Sequence, residues 1–157
     1  MVDQGDGLST LAFAKFIENG SGPNGLFYSV DVNPGAIKVT KDLFDANGVK
    51  GNRSMLILSD GVDFFRNIKG SVLSGVIDLL YLDAFDWVPG DNKSQLWHME
   101  CFKVAEEHLS KDAFVLIDDV IDLATFRGKG EILIPYMLKN GYRIVEGGYQ
   151  VLLQKTG

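Results

Sequence analysis

Short apolar runs alternate with longer segments of helical periodicity along this chain, and that alternation restricts the fold more than any other feature. The apolar runs cover residues 26–32, 55–58, 76–82 and 114–117, and helical spacing marks 10–17, 36–44, 62–68, 94–109 and 130–139. The runs are nearly continuous, which is typical of parallel strands covered on both faces. The pattern therefore predicts an α/β fold with a doubly wound, mostly parallel sheet.

The two ends of the chain add detail to this prediction. Residues 142–146 and 149–154 predict two strands turned at Gly147-Gly148, a C-terminal antiparallel hairpin at one edge of the sheet. Few residues precede Gly5, so we expect a truncated first strand. The 157 residues contain no internal repeat and predict one domain over 1–157.

Acidic residues follow the predicted strands. They are Asp31, Asp60, Asp83 and the pair Asp118-Asp119. Aspartate is common in turns, so one or two such positions are expected by chance. Ligands of open α/β sheets bind beyond the carboxyl ends of the strands. Acids at four strand ends therefore predict an acid-lined rim at the ligand-binding edge.

A glycine-rich segment, Gly5 to Thr10, opens directly into the first helical pattern. Glycine lets another molecule approach the backbone closely, and the free N–H groups of a helix start favour anionic or polar ligands. Such a segment also occurs as a plain loop, with Ser9 or Thr10 capping the helix. The segment alone does not decide between a cofactor site and a loop.

Two of the acids suit a nucleoside ligand. Asp31 follows the glycine segment by about 20 residues, the spacing at which a carboxylate accepts hydrogen bonds from ribose hydroxyls. Asp60 could accept a hydrogen bond from an adenine amino group. Each has a structural alternative, because Asp31 could cap the helix near Pro34 and Asp60 the helix near Val62.

The remaining rim acids suggest a metal ion. Asp83, Asp118 and Asp119 cluster if their strands are neighbours, and three close carboxylates repel unless a cation is present. Oxygen ligands select hard ions such as magnesium, calcium or manganese. In the alternative interpretation, one or two of these acids cap helices and point into water.

Two side chains are candidates for acid–base work near that rim, Asp86 and His98. Histidine is readily poised for proton transfer near neutral pH. His98 lies between Trp97 and Met99 in a helical segment, where a packed histidine is the structural alternative.

Composition excludes several classes of partner. The net charge of −6 and the scattered basic residues argue against nucleic-acid binding. No apolar run is long enough to span a membrane, and no secretory leader pattern opens the chain. With one cysteine and no zinc-type spacing, we expect a cytoplasmic protein with a small-molecule partner.

Five segments together carry a resemblance to a known family. They are Gly5-Asp6-Gly7-Leu8-Ser9-Thr10, Tyr28-Ser29-Val30-Asp31, Ser59-Asp60-Gly61, Asp78 to Asp86, and the closing Gly141-Tyr142 with Gly148 to Leu153. Over nearly the whole chain they resemble the class I S-adenosylmethionine-dependent methyltransferases, in the "G-x-S-T" variety of the first motif. The resemblance implies a Rossmann-like fold and S-adenosylmethionine as cofactor. The cofactor-binding residues it implies are Gly5, Asp6, Gly7, Ser9, Thr10, Asp31, Val32, Ser59, Asp60 and Asp83.

Within that class the chain is similar to the metal-dependent small-molecule and sugar O-methyltransferases. The resemblance implies a magnesium ion held by Asp83, Asp118 and Asp119, with a small-molecule or glycosidic hydroxyl as acceptor. Asp86 stands where relatives carry a histidine or lysine that assists deprotonation. One departure is Asp3, which stands where the family has its first glycine.

Three functional interpretations follow. The first is an O-methyltransferase that uses S-adenosylmethionine and magnesium. The second is a cofactor-binding domain without catalysis, or a subunit that needs a partner. The third and weakest is a nicotinamide-dependent oxidoreductase, because the loop lacks a full G-x-G-x-x-G. An exposed edge or an open active site would favour a homo-oligomer, whereas the acceptor substrate is not encoded in any motif.

Overall fold

The computed structural model describes residues 7–20, 25–68 and 76–156. The chain divides into two compact units, of which the first ends at Phe64 and the second begins at Phe65. The prediction of one domain over 1–157 stays a prediction. The expected truncated first strand, like Gly5 and Asp6, lies outside the described residues.

The first unit alternates helices and strands. Its elements are α1 (Leu8–Gly20), β1 (Phe27–Asp31), α2 (Pro34–Ala46), β2 (Ser54–Leu58) and the start of α3 (Gly61–Asn67). Strands β1 and β2 pair in parallel, in register from Phe27 opposite Ser54 to Asp31 opposite Leu58. Parallel pairing places the carboxyl ends of both strands at one edge.

Local sequence explains the helix boundaries in this unit. Asn33 caps α2, because its side chain accepts a hydrogen bond from the Gly35 amide at 2.8 Å, and Pro34 suits the first helical position. The helices pack through a small core in which Ala14, Phe44 and Val49 are buried. Ala14 and Phe44 come from the two predicted helical segments, and Val49 follows α2.

The second unit contains a mixed sheet. Its elements are β3 (Ile77–Leu82), α4 (Lys93–Ala105), a short 3₁₀ turn (Glu106–His108), β4 (Leu109–Ile117), β5 (Val120–Asp122), β6 (Arg127–Gly128), α5 (Leu133–Lys139), β7 (Tyr142–Gly147) and β8 (Val151–Lys155). The four-stranded sheet has the order β3-β4-β8-β7. Strand β3 is parallel to β4, and β8 is antiparallel to both β4 and β7. The predicted C-terminal antiparallel hairpin is present.

The core of the second unit lies on the buried face of this sheet. Val115 and Ile117 of β4 and Leu153 of β8 are fully buried. Phe102 of α4 is also fully buried, and its ring packs edge-on against Tyr142, with centroids 5.6 Å apart. Burial of each large side chain contributes roughly 1.5–3 kcal/mol, so this layer holds the helix and the hairpin on the sheet.

The observed elements differ from the sequence prediction in four places. Strand β4 covers nine residues, although only 114–117 were expected. Helix α4 ends at Ala105 instead of near residue 109, and α5 starts at Leu133 instead of 130. Strands β5 and β6 form a small antiparallel hairpin within 120–128, where a loop was expected. Among the described helices, none has the length and apolar character needed to cross a membrane.

Candidate functional site

The carboxyl ends of β1 and β2 are joined directly in the first unit. The Ser59 amide donates a hydrogen bond to the Asp31 carbonyl at 3.0 Å. The Asp31 carboxylate accepts one hydrogen bond through Oδ1, from the Asn33 amide at 2.7 Å. Asn33 therefore caps α2, and no described residue donates to Oδ2 of Asp31. The structure therefore excludes Asp31 as the N-cap of α2.

Asp60 has the capping role that the sequence left open. Its Oδ1 accepts hydrogen bonds from the amides of Val62 at 2.8 Å and Asp63 at 3.2 Å, at the start of α3. The Ser59 hydroxyl donates to the Asp60 carbonyl at 3.0 Å. One carboxylate oxygen of Asp60 is therefore engaged by the helix, and its adenine contact stays a prediction.

Helix α1 begins one residue after Gly7. The Leu11 amide donates to the Gly7 carbonyl at 2.9 Å, so Ser9 and Thr10 lie in the first helical turn and neither is the cap. Gly7 has φ of 71°, and a Cβ there would lie 2.8 Å from the Thr40 hydroxyl. A side chain at this position would be strained and crowded, which explains the glycine. The amides of Ser9 and Thr10 lie too near the helix start to have an acceptor four residues earlier within the helix.

The second unit brings its rim acids together around a lysine. The ammonium of Lys129 lies 2.6 Å from Oδ1 of Asp83 and 2.8 Å from Oδ2 of Asp119. The Lys129 side chain is only 3% exposed. The Asp118 amide donates to the Leu82 carbonyl at 3.2 Å, which sets Asp118 at the same edge as Asp83. The predicted clustering of these carboxylates is therefore present in the fold.

Neutral donors occupy the other carboxylate oxygens. The Tyr81 hydroxyl lies between Oδ2 of Asp118, at very short range, and Oδ2 of Asp83, at 3.1 Å. The Gln150 amide donates to Oδ2 of Asp118 at 3.0 Å, and the Asp119 backbone amide donates to Oδ1 of Asp118 at 2.8 Å. Each carboxylate of the trio thus faces protein donors.

The Tyr149 hydroxyl completes the network. It hydrogen-bonds Oδ1 of Asp119, and its side chain otherwise faces solvent. The contact raises the pKa of Tyr149, because a proton is harder to remove beside a carboxylate. Tyr149 therefore donates its proton to Asp119 at neutral pH.

The β5–β6 hairpin explains how Lys129 reaches the acids. Gly128 ends β6 with φ of 121°, and any Cβ there would collide with the Asp119 carbonyl. The Lys129 amide donates to that same carbonyl at 3.1 Å, so backbone and side chain of Lys129 both bind Asp119. The glycine permits this close approach, which positions the ammonium.

Lys129 and Asp119 stabilise each other's charged form. Burial alone would lower the pKa of Lys129, but its hydrogen bonds to Asp119 and Asp83 outweigh that effect and raise the pKa. Burial alone would raise the pKa of Asp119, but its hydrogen bonds from Lys129 and Tyr149 lower it. Lys129 is therefore an ammonium and Asp119 a carboxylate at neutral pH.

The donor set does not fit a divalent metal ion. The Lys129 ammonium holds the position between Asp83 and Asp119, and protein donors bind both oxygens of Asp118 and of Asp119. A metal ion at these ligands would have to replace a buried positive charge and the hydroxyl and amide donors. No group of three or more His, Cys, Asp or Glu residues in the described ranges is arranged to hold a metal ion. The structure does not support the predicted magnesium ion.

The His98 side chain is not accessible to a substrate, so it cannot act on one as a base. Its side chain has no exposed surface, and Nδ1 bonds the Ser94 carbonyl at 2.7 Å. Burial lowers the pKa of His98 to about 4, so the ring is neutral at physiological pH. A fully buried ring does not reach a substrate at the rim, so the structure favours the packed alternative. Asp86, by contrast, is exposed in the loop between β3 and α4, and its role as a base stays a prediction.

Sequence reasoning missed Lys129, Tyr81 and Gln150. Lys129 stands between two glycines, Gly128 and Gly130, and this spacing could have indicated a lysine held close to another backbone. Tyr81 and Gln150 carry no comparable signal, since a tyrosine inside a strand and a glutamine in a hairpin turn are ordinary.

Three solved structures resemble this chain in fold. A methyltransferase from Geobacter sulfurreducens has a TM-score of 0.56 at 16% identity, over 84% of this chain and 59% of that one. A putative caffeoyl-CoA O-methyltransferase from Staphylococcus aureus has a TM-score of 0.66 at 15% identity, over 98% and 73%. An SAH-bound methyltransferase from Podospora anserina has a TM-score of 0.66 at 18% identity, over 97% and 68%.

These likenesses define the fold. The chain has the Rossmann-like fold of class I methyltransferases. It spans between 59% and 73% of the length of the three proteins. No protein-family model matches the chain, and no curated protein matches it in sequence.

Proposed function

We propose that this chain is an S-adenosylmethionine-dependent methyltransferase that acts on a small-molecule or sugar hydroxyl. The observation that carries the proposal is Asp31, at the carboxyl end of β1 with one carboxylate oxygen that no described residue engages. A carboxylate at this place in an α/β sheet is suited to ribose hydroxyls. The fold shared with an SAH-bound methyltransferase supports the same cofactor.

The first unit supplies all of the proposed cofactor contacts except Asp83, which belongs to the second unit. The amides of Ser9 and Thr10, in the first turn of α1, suit the carboxylate end of the cofactor. Val32 directly follows Asp31 and is 62% exposed, so it offers an apolar surface to the adenine. Gly5, Asp6, Ser59, Asp60 and Asp83 are proposed contacts on the basis of the sequence resemblance alone.

The reaction is a direct methyl transfer. The bond between the sulfonium sulfur and the methyl carbon breaks, its electron pair stays on sulfur, and a bond forms between that carbon and the acceptor oxygen. The hydroxyl proton passes to a base, for which exposed Asp86 is the proposed residue. Catalysis is then mostly positioning of the two reacting groups. No step of this proposal uses a metal ion.

Two observations support a hydroxyl of a small molecule or sugar as the acceptor. A net charge of −6 disfavours a polyanionic acceptor such as nucleic acid. The similar protein from Staphylococcus aureus is described as a putative caffeoyl-CoA O-methyltransferase, which supports an oxygen acceptor. A homo-oligomer is part of the same proposal.

Calorimetric titration with S-adenosylhomocysteine, with NAD as the comparison ligand, tests the proposal. We expect the sulfur nucleoside to bind and NAD not to bind. Asp31→Ala should weaken binding by about 10- to 100-fold, because it removes charge-assisted hydrogen bonds worth roughly 1.5–3 kcal/mol. Asp42→Ala is the matched control, since Asp42 is an exposed acid on α2 that pairs with Lys38.

Turnover separates a methyltransferase from a domain that only binds the cofactor. Transfer of a labelled methyl group to hydroxylated small molecules should depend on Asp31, and Asp86→Asn should slow it without weakening cofactor binding. Binding of NAD in preference to S-adenosylhomocysteine would refute the proposed cofactor. Binding without any methyl transfer to a hydroxylated acceptor would favour the non-catalytic interpretation.

A further inference from the structure

We propose that Lys129 is the resident cation of the rim formed by Asp83, Asp118 and Asp119, so that these acids bind no divalent metal ion while Lys129 is in place. The inference concerns charge balance and ion binding in the second unit. It does not depend on methyl transfer being the reaction.

The ammonium uses its full donor capacity on this rim. It lies 2.6 Å from Oδ1 of Asp83, 2.8 Å from Oδ2 of Asp119 and 3.4 Å from the Asp83 carbonyl. A lysine ammonium has three N–H donors, and three acceptors surround it. A magnesium ion bound to the same oxygens would lie about 2.0–2.1 Å from each, within the volume that the ammonium fills.

Burial makes this arrangement hard to reverse. The Lys129 side chain is 3% exposed, whereas its partners Asp83 and Asp119 are 40% and 25% exposed. A charge removed from water must be paired, and Lys129 finds its compensation in these two carboxylates. An incoming metal ion would leave the ammonium buried without a counter-charge.

Backbone contacts fix the position of the Lys129 ammonium. Gly128 lies so close to the Asp119 carbonyl that any residue with a Cβ would collide with it. The Lys129 amide donates a hydrogen bond to the same carbonyl at 3.1 Å. The backbone is therefore fixed directly beside the ammonium. A surface lysine that pairs by chance would lack both constraints.

The third acid is occupied as well. Asp118 accepts from the Tyr81 hydroxyl, from the Gln150 amide and from the Asp119 backbone amide. These donors are neutral, and they face both oxygens of Asp118. The rim thus contains three acids and one internal cation, and the cation lies between two of the acids.

The test compares manganese and magnesium binding by the full chain and by Lys129→Met, which keeps the length of the side chain and removes its charge. Titration calorimetry and thermal unfolding should show no saturable binding by the unmodified protein at millimolar metal. Lys129→Met should gain binding, and saturating manganese should raise its Tm by about 5 °C or more. Asp83→Asn in the Lys129→Met background should remove that gain. Lys111→Met, at an exposed lysine of β4, is the matched control and should gain nothing.

Each result decides the inference. Saturable metal binding by the unmodified protein that Asp119→Asn abolishes would overturn it. A folded Lys129→Met variant that gains no metal binding would overturn it too, because the acids would then not form a cation site.

A second measurement applies if Lys129→Met does not fold. The Lys129 ammonium of the unmodified protein should give a protected nitrogen-15 NMR signal, because its protons are hydrogen-bonded and shielded from solvent. That signal should move in Asp83→Asn and should not move on addition of magnesium. A shift or loss on adding magnesium would refute the inference.

Discussion

Burial of His98 should make the stability of the protein fall as the pH is lowered from about 7 to about 5, ahead of the titration of most carboxylates. The ring has no exposed surface, and burial lowers its pKa from the ordinary 6.5 to about 4. The bond to the Ser94 carbonyl opposes this shift, and Lys129 and Asp119 have opposite effects on it. Above 6.5 the ring is neutral in both the folded and the unfolded chain, so His98 adds no pH dependence there.

The magnitude follows from the two pKa values. Between 6.5 and about 4 the unfolded chain takes up a proton that the folded chain refuses, so acidification favours unfolding. Lowering the pKa of His98 from 6.5 to about 4 corresponds to a total of roughly 3 kcal/mol. About 2 kcal/mol of that is already lost at a pH near 5, a large share of a typical domain's stability.

Urea unfolding of the protein and of His98→Gln at the two pH values measures this effect. Glutamine can still donate to the Ser94 carbonyl but does not titrate, so the variant should lose about 2 kcal/mol less than the unmodified protein between the two pH values. The comparison removes the contribution of all other groups. Equal losses in the two proteins would show that burial does not hold His98 neutral.

Three further perturbations test the packing and the rim. Gly128→Ala should cost at least about 2 kcal/mol of unfolding free energy, because a Cβ collides with the Asp119 carbonyl; a change below experimental error would contradict that contact. Asp119→Asn should lower the free energy of unfolding at neutral pH. The difference from the unmodified protein should shrink as the pH falls below 3.8 through the lowered pKa of Asp119, because the unmodified protein then also loses the stabilising carboxylate. A difference that stays constant in acid unfolding curves would contradict this. Phe102→Ala should cost about 3–5 kcal/mol in urea unfolding through the cavity it leaves, and a loss below about 1 kcal/mol would mean that α4 is not packed as described.

Pattern and turn chemistry determined most of the fold. Apolar runs with helical segments between them predicted parallel strands, which the structure shows in the pairs β1–β2 and β3–β4. The glycine pair at 147–148 predicted the closing hairpin. These features are local, because each strand or helix carries its own period in the sequence. Asn33 and Pro34 marked the start of α2 in the same way. The acids at strand ends followed from the parallel pairing, which brings carboxyl ends to one edge.

Only the tertiary structure decided what those acids contact. Whether Asp83 and Asp119 face a metal ion or an ammonium depends on a side chain that is distant from Asp83 in sequence. Lys129 is 46 residues from Asp83, and only the close approach of Gly128 to the Asp119 backbone brings it there. The burial of His98 is likewise a property of packing, since its neighbours in sequence suit either surface or core. Ion pairs and ligand contacts join residues that only folding brings together, whereas the periodicity of a helix or strand is visible in the local sequence.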